Sequence, residues 1–151
     1  MRYMLATVAA LTLTIPATAM ESEMAQAKGE FTVELKPVSG EGEAPARMSI
    51  DKQFTGDLTA SSKGEMMMSG VEANGARVYV ALETVTGTLA GKDGSFILAH
   101  RGTMSPAAQE LSVIVVPDSG TNALTGITGT LEIDIVDGQH YYTLNYTLPS
   151  R

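Results

Sequence analysis

The sequence has no cysteine and no tryptophan, and only three phenylalanines and two histidines in 151 residues. Without cysteine there is no disulfide, no thiolate metal site and no cysteine nucleophile. The histidines, His100 and His140, lie far apart and no carboxylate cluster accompanies either, so no dedicated metal site is expected. No glycine-rich loop precedes a helical stretch, and no serine sits in an elbow motif, so neither a phosphate-cradling loop nor a serine-hydrolase triad is read and no cofactor is expected. Positive charge is scarce too. The formal net charge is −7 at pH 7, which repels phosphate backbones and excludes nucleic acid as a natural partner.

What is present suits a compact all-β domain. Hydrophobic residues make up 44 % of the chain and glycine is abundant at 15, enough for one real core and many tight turns. Residues 1–27 read as a signal peptide: Arg2, then an apolar run from Met4 to Ile15, then small residues. Cleavage is expected after Ala19 or after Ala27, with residues 28–151 forming the β-barrel domain. The apolar run is too short to span a bilayer comfortably, so no stable membrane insertion is expected after cleavage. This predicts a periplasmic or secreted protein. A start at Met20 or Met24 makes it cytoplasmic instead.

From Gly29 onward the apolar period is two rather than 3.6. Strands are predicted at Phe31–Leu35, Met48–Phe54, Leu58–Met68, Arg77–Leu89, Ser95–Met104, Glu110–Pro117, Leu131–Val136 and His140–Leu148. Asp137-Gly138 between alternating runs is a two-residue hairpin signal. Thr-Gly-x-Leu recurs at Thr55, Thr86 and Thr128, with each glycine placed where a strand must bend. The predicted fold is a single eight-stranded antiparallel β-barrel, although a two-sheet sandwich uses the same pattern.

Chemistry concentrates in two hairpins. With the fourth-to-fifth turn centred between Gly91 and Lys92, Glu83 faces His100 and Ala81 faces Gly102. A carboxylate against an imidazole orients the ring and raises its basicity. A cross-strand charged pair that merely helps register explains the same residues. Tyr79, Val85, Phe96, Leu98 and Met104 share that face. Val78, Val80, Leu82, Ile97 and Ala99 make the other face apolar as well. Both faces cannot line one interior, so one is expected to meet a partner, which predicts a homo-oligomer. In the last hairpin, with Asp137-Gly138 as the turn, Tyr142 faces Ile133 and Tyr146 faces Gly129. Either tyrosine can pack as a ring or donate a hydrogen bond to a ligand. Glu65 adjoins Met66, Met67 and Met68, whose thioethers suit Cu(I), but successive strand residues alternate faces and cannot converge. The ligand-binding candidates are therefore Tyr79, Glu83, His100, Tyr142, Tyr146 and Glu65, with no catalytic residue assigned.

Several segments together resemble a bacterial family of uncharacterised single-domain proteins. They include Gly29-Glu30-Phe31-Thr32-Val33, Tyr79-Val80-Ala81-Leu82-Glu83, His100-Arg101-Gly102-Thr103-Met104, Val115 to Thr121 and His140 to Tyr146. The resemblance covers nearly all of the chain after the signal-like segment. It implies a closed barrel similar to that of plant allene oxide cyclase, and it carries over no reaction, because fold likeness does not transfer an activity. Members of that family commonly begin near the position of Met24. The expected function is to bind a small apolar or amphipathic molecule inside the barrel. The alternatives are an isomerase-like or cyclase-like enzyme using a Glu83–His100 pair and a non-catalytic oligomeric interaction module.

Overall fold

The computed structural model describes residues 23–149, apart from 39, 41, 43 and 44. Eight strands follow one another: β1 (Ala25–Pro37), β2 (Ala46–Gly56), β3 (Leu58–Val71), β4 (Ala76–Leu89), β5 (Lys92–Met104), β6 (Gln109–Val115), β7 (Thr128–Val136) and β8 (Gln139–Thr147). Each pairs antiparallel with its sequence neighbours, β6 and β7 through the single pair Ile114–Thr130, and β8 returns to β1, so the sheet closes into a barrel. Closure rules out the sandwich. The core of the signal-like segment lies outside the described residues. Strand β1 already begins at Ala25, and buried Ala27 faces Leu144 of β8. A cut after Ala27 would remove three residues from this seam, whereas a cut after Ala19 would leave it whole.

Alternation sorts each strand into an inner and an outer row. The row containing Tyr79, Ala81, Glu83 and Val85 points inward, together with Phe96, Leu98 and His100; the row containing Val78, Val80 and Leu82 points out. The β4–β5 turn differs from the expectation. Leu89 pairs with Lys92 around Ala90 and Gly91, both at positive φ (47° and 78°). Ala81 therefore faces His100, Glu83 faces Leu98 and Tyr79 faces Gly102. The shift is two residues, so no side chain changes face. The β7–β8 register is as expected, with Tyr142 opposite Ile133 and Tyr146 opposite Gly129.

The interior divides along the barrel axis. At one end Leu58, Leu89, Phe96, Leu98, Leu131 and Leu144 form a solid core. The leucines of the recurring Thr-Gly-x-Leu phrase all sit here. The long β6–β7 connection closes this end. Its backbone and side chains bond the free edge of β5: Thr121 N–H donates to Ser95 O at 2.9 Å, and Ile97 N–H to Ser119 Oγ at 3.0 Å. That connection presses Leu124 and Ile127 into the core. At the opposite end the packing is looser, built on Ile50, Met66 and Ala81 with Met48, Met68 and Tyr79 around them. This end opens to solvent.

Candidate functional site

The site lies where the solid half gives way to the open half. Ile50, Lys52 and Phe54 alternate on β2, so the phase that buries two apolar side chains also carries Lys52 inward. A buried ammonium needs a counter-charge, and Glu83 supplies it from two strands away. Lys52 Nζ donates to Glu83 Oε1 at 2.7 Å, and His100 Nε2 donates to the same oxygen at 2.7 Å. Ser62 Oγ makes a short bond to Oε2. Glu83 is 1 % exposed, Lys52 6 % and His100 7 %.

Lys52 reaches Glu83 across β3, and β3 yields at Gly64, the cross-strand neighbour of Glu83. A Cβ there would overlap the Leu82 carbonyl oxygen and the Glu83 Cα, so glycine is what lets the strands approach so closely. Ser62, one step along the same inner row, turns its hydroxyl to the carboxylate. The ammonium also lies over the Phe31 ring, 4.9 Å from its centroid, and 5.9 Å from that of Phe54. The two rings are 5.3 Å apart and form an aromatic floor beneath the charge cluster.

Burial alone would raise the carboxyl pKa of Glu83. The His100 hydrogen bond, the Lys52 charge and the bonds from Lys52 and Ser62 together outweigh it and bring the value down to about 2. Glu83 is thus a held carboxylate and not a base in waiting. As it only accepts, His100 Nε2 must carry hydrogen. The other ring nitrogen has no partner. Among the described residues no fully buried polar side-chain atom lacks one, so that nitrogen is not completely buried.

Above the cluster is a cavity of about 190 Å³. Phe31, Val33, Ile50, Met66, Ala81 and Ile133 give it apolar walls, and Leu35, Leu111 and Ile135 stand at its exposed rim. Its polar groups are Lys52, His100, Tyr79 and His140. The Tyr79 ring packs on Gly102, where a side chain would collide with it. Burial first, and the charge of Glu83 second, raise the Tyr79 hydroxyl above its ordinary pKa, so it remains a donor. The His140 ring rests on Phe31 at 5.0 Å.

Of the six sequence candidates, the fold gathers Tyr79, Glu83 and His100 here. Tyr142 is buried in the solid half, and its hydroxyl accepts from Leu58 N–H at 2.9 Å and donates to Thr55 O at 3.1 Å. It ties the β2–β3 turn to β8 and has no free hydrogen for the cavity. Tyr146 belongs to the same solid core. Glu65 is on the outer wall, paired with Arg47 at 2.8 Å. Met66 and Met68 point inward while Met67 is exposed, so the three thioethers do not converge. No group of three metal-ligating His or carboxylate side chains occurs among the described residues.

Lys52, Ser62 and His140 were not among the candidates. Lys52 had a signal: an ionisable residue in phase with Met48, Ile50 and Phe54 must either be buried with a partner or break the strand. Ser62 and His140 carried none, since each alternates as readily outward as inward.

A solved structure from Shewanella oneidensis MR-1, a protein of unknown function from the DUF3224 family, is 40 % identical. It matches with a TM-score of 0.77, covering 85 % of this chain and 100 % of its own. No curated protein matches the sequence. The family model for DUF3224, a protein of unknown function, matches residues 27–146. The chain belongs to the DUF3224 family.

Proposed function

We propose that this barrel binds a small amphipathic molecule in its open half. The observation that carries the reading is the cavity itself: apolar walls converging on a few fixed polar groups, at the mouth of a barrel whose other half is solid. Its volume is below the roughly 300–1,000 Å³ usual for drug-sized ligands, which favours a short tail or a single ring. Ala81 lies in the cavity wall and is 5 % exposed. An Ala81→Leu variant fills the space from the wall. The test is methyl NMR of Ile50, Met66 and Ile133 during titration with short alcohols and short-chain acids. Saturable shifts in the native protein that vanish in Ala81→Leu are expected. Unchanged methyl signals with every compound would overturn the reading.

One observation also favours catalysis. A carboxylate fixes one nitrogen of His100 and leaves the other open, which is how a carboxylate–histidine pair is set to move a proton. An enzyme of this type would exchange a C–H hydrogen of its ligand with solvent. Solvent deuterium should enter a bound ligand with an acidic C–H in the native protein and not in His100→Gln. Equal incorporation in the two would remove this reading and leave binding intact.

A further inference from the structure

We infer that the molecule taken by this cavity ends in a carboxylate and is bound together with one proton, which His100 receives. The inference rests on the binding reading above and specifies the class of ligand.

The first argument is an inventory of what the floor can offer. The one carboxylate at the site, Glu83, is saturated: Lys52 and His100 occupy Oε1, and Ser62 occupies Oε2. It lies beneath the cavity and does not border it. The polar groups that do border it are an ammonium, a phenol and two imidazoles. A cationic or donor-only head group would meet the Lys52 charge with no anion to answer it. An acceptor with negative charge would meet the remaining N–H bonds of Lys52 and the Tyr79 hydroxyl.

The second argument is charge balance. Lys52 and Glu83 cancel. With His100 neutral, the floor has no net charge, and a buried anion would remain uncompensated. With His100 protonated, the floor carries one positive charge and a monoanion restores neutrality. The network is already arranged for this. Nε2 keeps its hydrogen and its bond to Glu83 in both forms, so the new proton goes to the open nitrogen without any rearrangement. Anion and proton therefore favour each other's binding.

The charged and titratable groups around His100 are few. Glu83 and Tyr79 face it from β4, Lys52 approaches from β2 through Glu83, and His140 borders the same cavity from β8. Arg101 and Glu110, on β5 and β6, are an exposed pair on the outer wall. His140 is thus the one rival for the proton, and substitution separates the two.

The experiment is isothermal titration calorimetry of the full chain with hexanoate, hexanamide and hexan-1-ol, which share a tail. Each titration is run in two buffers of different ionisation enthalpy, from pH 5.5 to 8.5. Hexanoate is expected to bind at least tenfold more tightly than its neutral analogues at the acid end, with proton uptake approaching one as the pH rises. Its affinity should fall tenfold per pH unit at the alkaline end. His100→Gln, whose amide can still donate to Glu83, should lose the proton uptake and weaken hexanoate at least tenfold, a larger factor than for hexan-1-ol. His140→Gln should keep the proton uptake on hexanoate binding. Equal affinity for the acid, amide and alcohol would overturn this inference while the binding reading stands. Proton uptake that survives in His100→Gln or disappears in His140→Gln would also overturn it. No heat and no methyl shift with any of the three would remove the binding reading itself. If His100→Gln fails to fold, the two-buffer comparison on the native protein and His140→Gln still decides.

Discussion

Glu83 holds its place because everything near it donates and nothing else accepts. Removing the charge while keeping the shape exposes that dependence. In Glu83→Gln the Lys52 ammonium stays buried without a counter-ion, a loss expected to cost about 3–5 kcal/mol. In the double variant Lys52→Met with Glu83→Gln, both charges are gone and most of the loss should be recovered. Urea denaturation of the two variants and the native protein checks this. A double variant as unstable as the single one would show that packing, not charge pairing, dominates. Acid provides an independent readout. The folded carboxyl sits at about 2, below its ordinary 4.5, so in that window the unfolded chain binds the proton first. The contribution of the group, roughly 3 kcal/mol, is complete above pH 4.5 and disappears as pH falls towards 2. Thermal unfolding of the native protein should fall more steeply across this window than that of Glu83→Gln. Parallel curves would mean that Glu83 is not held as a carboxylate.

The β4–β5 hairpin shows how an element carries these residues to each other, and how much of that was legible beforehand. Alternation alone placed Tyr79, Glu83 and His100 on one face, and they are on one face. Their pairing was not legible, because it depends on which residues turn. Gly91-Lys92-Asp93-Gly94 offers glycine at both ends, and the chain instead turns one step earlier, with Ala90 at φ 47°. Closure fixes that choice: Thr86 to Leu89 must also pair with Leu58 to Ser61 of β3, a constraint that no local pattern expresses. The shift moves His100 from opposite Glu83 to a diagonal position, from which its ring still meets the carboxylate. A left-handed alanine is strained, whereas glycine is not. Ala90→Gly should therefore stabilise the hairpin by about 0.5–1 kcal/mol, read as a raised urea midpoint with an unchanged m-value. A lowered midpoint would show that the alanine methyl, or the stiffer unfolded chain, matters more than the turn conformation.

At the scale of the molecule, the sequence pattern indicated the number of strands and their order, while the division of the barrel into a solid and an open half was not visible in it. That division comes from the β6–β7 connection folding Leu124 and Ile127 under one end, and long connections have no periodicity to read. The pattern did expose a conflict, two apolar faces on one hairpin, and the fold settles which is which. Tyr79, Ala81, Glu83 and Val85 face in, while Leu82 is left 61 % exposed on the outer wall, with Val78, Val80, Met67 and Ile114 also exposed. The strands that carry Met67, Val78, Val80 and Leu82 are paired on both sides, so an open sheet edge does not account for the stripe. We propose that a second copy of the chain covers it. Pairs of both signs border the stripe, Arg47–Glu65 beside β3 and Arg101–Glu110 beside β5, so a two-fold axis can set each sign against the other. Sedimentation equilibrium over a wide concentration range should show a dimer, and Leu82→Lys should shift it towards monomer. Because Leu82 points away from the cavity, that variant should keep the native methyl shifts with hexanoate. A native protein that is monomeric at every concentration would remove the second copy as the occupant. Loss of ligand shifts in a folded Leu82→Lys monomer would instead show that the outer wall and the cavity are coupled through β4.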